Sequence, residues 1–208
     1  MNDVKKTFEQ RKGEIEIYFE FLSNYKHKKV DDDLFKILKS NLLLMLYNLI
    51  ESSIANAIEE IHNNIHINKT SFNNLKEKIK SLVIDNTKRI NSDKFITQIN
   101  DIAIDIAKHT FNKKELFSGN VDGAKIRKIS EKYGFSSKTN YKKTAHGEHL
   151  KTIKDKRNNL AHGVFSFAEV GKEYTIQDLE YIKKTTIFYI SEILDNVEQY
   201  LSNKEYLQ

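Results

Sequence analysis

Residues 35–61 read FKILKSNLLLMLYNLIESSIANAIEEI, and this stretch decides the fold class. Phe35, Leu38, Leu42, Leu46, Leu49, Ile54, Ile58 and Ile61 recur at steps of three to five, the spacing of one helix face. A strand would alternate every second residue and end within ten or so. The pattern predicts a helix to about His62. Asp31, Asp32 and Asp33 stand before it, and carboxylates suit the positive end of a helix dipole.

The neighbouring segments carry the same period. Residues 3–28 predict a first helix on Phe8, Ile15, Phe19 and Leu22. Thr70 or Ser71 can cap a third helix, reaching about Lys88 on Phe72, Leu75, Ile79 and Leu82. Ser92 can cap a fourth on Phe95, Ile99, Ile102, Ile106 and His109. Residues 111–123 read as a loop. Asp122 then caps a short helix with Ile126 and Ile129, stopped by Gly134 in a left-handed conformation. Residues 135–144, FSSKTNYKKT, are polar, basic and expected on the surface. A helix over 145–162 follows, closed by Gly163. Residues 164–174, VFSFAEVGKEY, alternate locally and suggest a short hairpin or an ordered loop. Thr175 with Asp178 resembles a capping box and opens a last helix to about Asn203. The expected fold is all-α, a bundle of six or seven helices.

Composition agrees. The chain has 208 residues, no proline and seven glycines. Average usage would give roughly ten prolines, so long helices and few tight turns are expected. Cysteine is absent, which excludes disulfide scaffolds, thiol catalysis and thiolate metal sites. No apolar run approaches the roughly 18 residues of a membrane span, and the first residues carry no apolar signal region. A soluble cytoplasmic protein is the expectation. Lys plus Arg number 34 and Asp plus Glu 29, a net charge of +5. Such an excess permits an anionic partner without demanding one.

The chemistry-bearing stretch is KDKRNNLAHG, residues 154–163. On a helix Asn158 and His162 are four apart and share a face, and the long arm of Arg157 reaches the same patch. A guanidinium stays charged at any working pH and can hold two phosphate oxygens. It can also stabilise the extra charge of a pentavalent transition state. An imidazole titrates near neutrality and can move protons. Asn158 can orient either partner. These groups suit phosphodiester cleavage in RNA, where the substrate's 2′-OH is the nucleophile. The same three residues are also common as solvated surface at a helix end.

Other polar residues divide between function and packing. Glu51 lies on the apolar second helix, with Tyr47 and Ala55 four residues to either side. It reads as a supporting carboxylate near the cleft, or as an edge-of-core residue with its head in solvent. Asn48 is open in the same way. His62 and His66 are four apart, but no third ligand is evident and no glutamate follows His62 as a zinc-protease pattern requires. No metal or cofactor is expected. Lys138, Tyr141, Lys142 and Lys143, with the basic run 112–114, could follow an RNA backbone, and Tyr133, Phe135 and Tyr141 could offer stacking surfaces. They could equally be a solvated loop.

The six residues RNNLAH resemble the Arg-x4-His signature of the HEPN superfamily, in which a polar residue, often Asn, follows the Arg. The segments 150–182 (LKTIKDKRNNLAHGVFSFAEVGKEYTIQDLEYI), 42–61 and 118–135 (SGNVDGAKIRKISEKYGF) are similar to the bacterial branch known as RiboL-PSP. The resemblance implies one HEPN-like helical domain over 1–208, with 63–144 as an elaboration between core helices. It implies a homodimer whose two motifs face one cleft. It also implies a metal-independent endoribonuclease leaving a 2′,3′-cyclic phosphate, with Arg157, Asn158 and His162 as its catalytic set. Such proteins often act as toxins or antiphage effectors. Some HEPN toxins are silenced at a Tyr two residues after the His. Val164 stands there, so a protein antitoxin or another defence partner is expected instead. The alternative is a non-catalytic HEPN module that binds RNA or assembles a complex.

Overall fold

The computed structural model describes residues 1–25, 32–87 and 120–208. Among these the architecture is all-α. In chain order the elements are α1 (Asn2–Tyr25), α2 (Asp32–Ile67), a 3-10 turn (Phe72–Asn74) and α3 (Glu77–Thr87). Then come α4 (Gly123–Tyr133), the single turn α5 (Tyr141–Thr144), a 3-10 turn (Ala145–Gly147), α6 (Glu148–Ala161), α7 (Phe167–Lys172) and α8 (Ile176–Ser202). The helix expected from Ser92 and the basic run 112–114 lie outside the described residues.

Helix α2 is the axis of the bundle. It spans 36 residues, about 54 Å at 1.5 Å per residue. Leu42, Leu43, Leu46, Tyr47, Leu49 and Ile50 have no exposed surface, so burial covers most of its circumference there. A helix apolar on nearly all sides must be surrounded, and α1, α6, α7 and α8 all pack against it. It continues past His62 because Ile65 extends the buried stripe. It ends where Lys69 takes a left-handed φ of 47°. His62 is itself core: it is 3% exposed, and its Nε2 lies 2.8 Å from the Tyr133 hydroxyl. That nitrogen is committed to a structural hydrogen bond.

Closest to α2 lies α7. A Cβ on Gly171 would sit 1.8 Å from the Lys36 carbonyl oxygen, so only glycine permits this approach. Helix α7 occupies the stretch expected as a hairpin or loop. Ser166 caps it by accepting from the Glu169 N–H at 3.2 Å, and the Glu169 carboxylate accepts from the Ser166 N–H at 2.8 Å. This reciprocal box, together with the buried Val170, overrides the local alternation. The box expected at Thr175 and Asp178 is present and opens α8. Asp122 caps α4 by accepting the Lys125 N–H, and Gly134 ends α4 at φ 91°.

Helix α6 begins later than expected, at Glu148 rather than Ala145. Ala145, His146 and Gly147 take φ values of 46°, 52° and 72°, and three successive left-handed residues cannot join a right-handed helix. At Gly147 a Cβ would also lie 2.8 Å from the Tyr189 ring. The stretch before it is better anchored than a loose basic loop. Phe135 and Thr144 are buried, the Asn140 N–H donates to Glu192, and Asn196 donates to the Lys138 carbonyl.

Candidate active site

Helix α6 runs beside α2, and its buried Leu150, Ile153 and Leu160 fix its rotation. That rotation turns Lys154, Arg157 and Asn158, related by i, i+3 and i+4, along one face. Facing them are α2 and the segment 120–122 that leads into α4.

Arg157 lies over the Tyr47 ring, its Cζ 4.8 Å from the centroid. Tyr47 is fully buried, so the ring face is a fixed, desolvated platform for the cation. The Tyr47 hydroxyl accepts the Val121 N–H at 3.4 Å. Burial pushes the phenol above its ordinary pKa, the nearby Glu51 carboxylate adds to this, and the Arg157 and Lys154 charges oppose it. Tyr47 is therefore a neutral phenol at working pH. Arg157 Nη1 donates to Asn158 Oδ1 at 3.0 Å, and Asn158 Nδ2 donates to Asn120 Oδ1 at 3.1 Å. The guanidinium is thus held from one side by a ring and from another by an amide relay. Of its five N–H donors, one goes to Asn158.

One turn before Arg157 is an ion pair. Lys154 Nζ lies 2.7 Å from Asp122 Oδ2, and both side chains are largely covered. Burial alone would raise the Asp122 carboxyl, but the Lys154 ammonium and the Lys125 N–H outweigh it and hold the pKa below the usual range. The Asp122 hydrogen bond in turn raises the Lys154 pKa. The pair fastens the start of α4 to the middle of α6 and so fixes Asn120 opposite Asn158.

His162 caps the C-terminus of α6. Its N–H donates to the Asn158 carbonyl at 3.0 Å, while the Gly163 and Val164 N–H groups return to Leu160 and Asn159. Gly163 takes φ 66°, the left-handed stop expected there. The imidazole is exposed. One short helix end therefore carries a clamped guanidinium, an amide and a solvent-facing imidazole.

The family model described as HEPN_MAE_28990-like HEPN matches residues 2–206. The chain belongs to the HEPN superfamily. That description names neither the RiboL-PSP branch nor the Arg-x4-His motif. No curated protein and no solved structure matches the chain. HEPN membership points in general to nuclease or RNA-related function.

The remaining candidates are spread over the HEPN bundle. Glu51 is half-buried, one turn from Tyr47 and close enough to act on its hydroxyl. Asn48 is exposed, and its carbonyl accepts the Ser52 hydroxyl. Lys138, Tyr141, Lys142 and Lys143 are exposed on a segment that packs on α8, with Lys143 Nζ 5.8 Å from the Phe188 ring centroid. They stand at the N-terminal side of α6, away from the motif end. Tyr47, Asn120, Asp122 and Lys154 went unrecognised as site residues in the sequence. The quoted stretches 42–61, 118–135 and 154–163 contain them, but none was singled out there for the site. No group of three His, Asp or Glu side chains that could hold a metal occurs among the described residues, and no helix there is long and apolar enough to cross a membrane.

Proposed function

We propose that this HEPN protein is a metal-independent endoribonuclease that acts as a homodimer, in growth arrest or antiphage defence. The observation that carries the reading is the Arg157 clamp. A guanidinium fixed by Tyr47 and by the Asn158–Asn120 relay keeps most of its donors for a ligand, one helix end away from an exposed imidazole. Fixed donors aimed at developing charge are the largest single source of rate in many enzymes.

The reaction needs few parts. A base takes the proton from a ribose 2′-OH, and the 2′-oxygen attacks the adjacent phosphorus. The bond from phosphorus to the 5′-oxygen breaks, and an acid returns a proton to that oxygen. The products are a 2′,3′-cyclic phosphate and a 5′-OH end. Arg157 neutralises the non-bridging oxygens of the transition state. His162 serves as one of the two proton-transfer groups, and Asn158 orients Arg157. One chain carries a single His162, so two copies facing one cleft would supply acid and base together. That arrangement is what the dimer contributes.

An RNA in which the ribose 5′ to the cut is 2′-deoxy tests the chemistry. The protein should leave it whole while cutting the all-ribo strand to a cyclic phosphate end, and it should sediment as a dimer. Equal cutting of both strands would rule out 2′-OH attack. Binding of both strands without cutting either would favour the non-catalytic module.

A further inference from the structure

A concavity lies at the N-terminal end of α6, opposite the motif end. It has a volume of about 520 Å³ and sits between the first turns of α4 and α6 and the segment 141–147. Pockets of this size that hold small ligands are mostly apolar with a few placed polar groups. This one is lined by Ala124, Arg127, Tyr141, His146, Glu148 and Lys151, among others.

Its wall is unusual. Tyr141 is 66% exposed, and its ring lies 5.0 Å from the His146 ring. Two flat rings thus stand together in solvent, where burial gains them nothing. His146 is held there by a left-handed backbone, and Ala145 before it is left-handed too. Such residues cost free energy, and their clustering at a cleft calls for a function. Arg127 donates one N–H to the His146 carbonyl, which braces the same wall, and its charge lines the cleft. Lys151 adds a second cation, balanced by Asp155.

We infer that this cleft is a subsite for one unpaired base of the RNA strand whose phosphate occupies Arg157. The inference rests on the nuclease reading. The base stacks on the Tyr141 face, with the His146 ring, tilted 55° to it, at the edge of the base, and its phosphate meets Arg127. An aromatic face accepts any base, whereas cations alone would give no pocket. The route between the two sites is short. Lys151 and Arg157 are six residues apart on α6, about 9 Å along its axis. Asp122, on the edge of the cleft, is the residue that pairs with Lys154 between them. A strand that passes the Asp122–Lys154 pair as it follows the turn of α6 would reach both.

The test is binding of a short single-stranded RNA made uncleavable by 2′-O-methylation, followed by fluorescence anisotropy. Tyr141→Ala should weaken binding about tenfold, the usual worth of one stacked base. Tyr141→Phe should bind as the wild type does. Ala124→Leu, which fills the cleft from an exposed position, should weaken binding as Tyr141→Ala does. Unchanged affinity in Tyr141→Ala and Ala124→Leu overturns the inference. So would Tyr141-dependent binding of AMP with the RNA indifferent to the substitution, which would make the cleft a nucleotide sensor. Cleavage of unmodified RNA by the same variants separates the two failures. A protein that cuts RNA but ignores Tyr141 loses only the subsite, whereas one that neither cuts nor binds RNA loses the nuclease reading with it.

Discussion

The Arg157 guanidinium lies over the buried ring of Tyr47, its Cζ 4.8 Å from the centroid, although 110 residues separate the two in sequence. The contact joins the central helix to the motif helix and turns a mobile side chain into a fixed donor. Tyr47→Leu keeps apolar volume but removes the ring face. With a cation–π contact worth about 1–2 kcal/mol, kcat should fall roughly tenfold. Tyr47→Phe keeps the ring and orphans the buried Val121 N–H, so it should cost about 1 kcal/mol of stability with cleavage near the wild-type rate. Thermal melts beside single-turnover cleavage check both.

Asn120 accepts a hydrogen bond from Asn158 Nδ2, and under the proposed function it positions Arg157 through that amide. It is exposed, so Asn120→Ala should change stability by no more than about 0.5 kcal/mol. Removing the acceptor for Asn158 Nδ2 frees the amide that holds Arg157. The expected result is a several-fold loss in kcat with KM unchanged, restored in part by Asn120→Asp, which keeps an acceptor oxygen. An equal loss in the melting temperature would show a structural role instead.

The Asp122–Lys154 pair predicts a pH window. The Asp122 pKa lies below its ordinary 3.8 in the folded state, so its contribution is complete above that value and disappears as pH falls through the lowered one. The Lys154 pKa lies above 10.5, so its share is complete below that value and is lost as pH rises past the raised one. Asp122→Asn retains a good helix cap but no charge. Its melting temperature should fall short of the wild type's throughout the neutral range, and the gap should close in strong acid. A constant gap down to the lowest pH would mean that the charge contributes nothing.

Two glycines should respond differently to alanine. Both Gly147 and Gly163 have positive φ. An added methyl at Gly163 meets open space, whereas at Gly147 it strikes the Tyr189 ring. Gly163→Ala should cost about 1 kcal/mol from backbone strain. Gly147→Ala should cost a further 1–3 kcal/mol or so and should displace His146. Denaturant titration of both variants decides the order.

The periodic elements were legible because the buried stripes of α1, α2 and α8 obey one period over many residues. Asp122, Gly134, Thr175 and Gly163 were legible as caps because capping chemistry is local. The start of α6 was not, because nothing in the sequence Ala-His-Gly announces a left-handed run at 145–147, and the Tyr189 ring that closes the space at Gly147 lies 42 residues on. Helix α7 was locally encoded by Ser166 and Glu169, but the alternating apolar residues before it suggested a strand. Arg157, Asn158 and His162 stood out as candidates by residue type and spacing, and the fold sets all three at one end of α6. Their supports did not: Tyr47 looks like any core aromatic and Asn120 like any loop amide until the fold brings them to α6.

Under the proposed function, the motif end of α6 cuts RNA without a metal. The direct measurement is cleavage of total cellular RNA in EDTA by the wild type, Arg157→Ala and His162→Ala, with folding and dimer mass checked on the same samples. Cutting by the wild type to cyclic phosphate ends is predicted. Losses of about a hundredfold or more in each variant should follow, the usual worth of an oxyanion donor or a proton-transfer group. Undiminished cutting by folded His162→Ala, or none by the folded wild-type dimer, would contradict it.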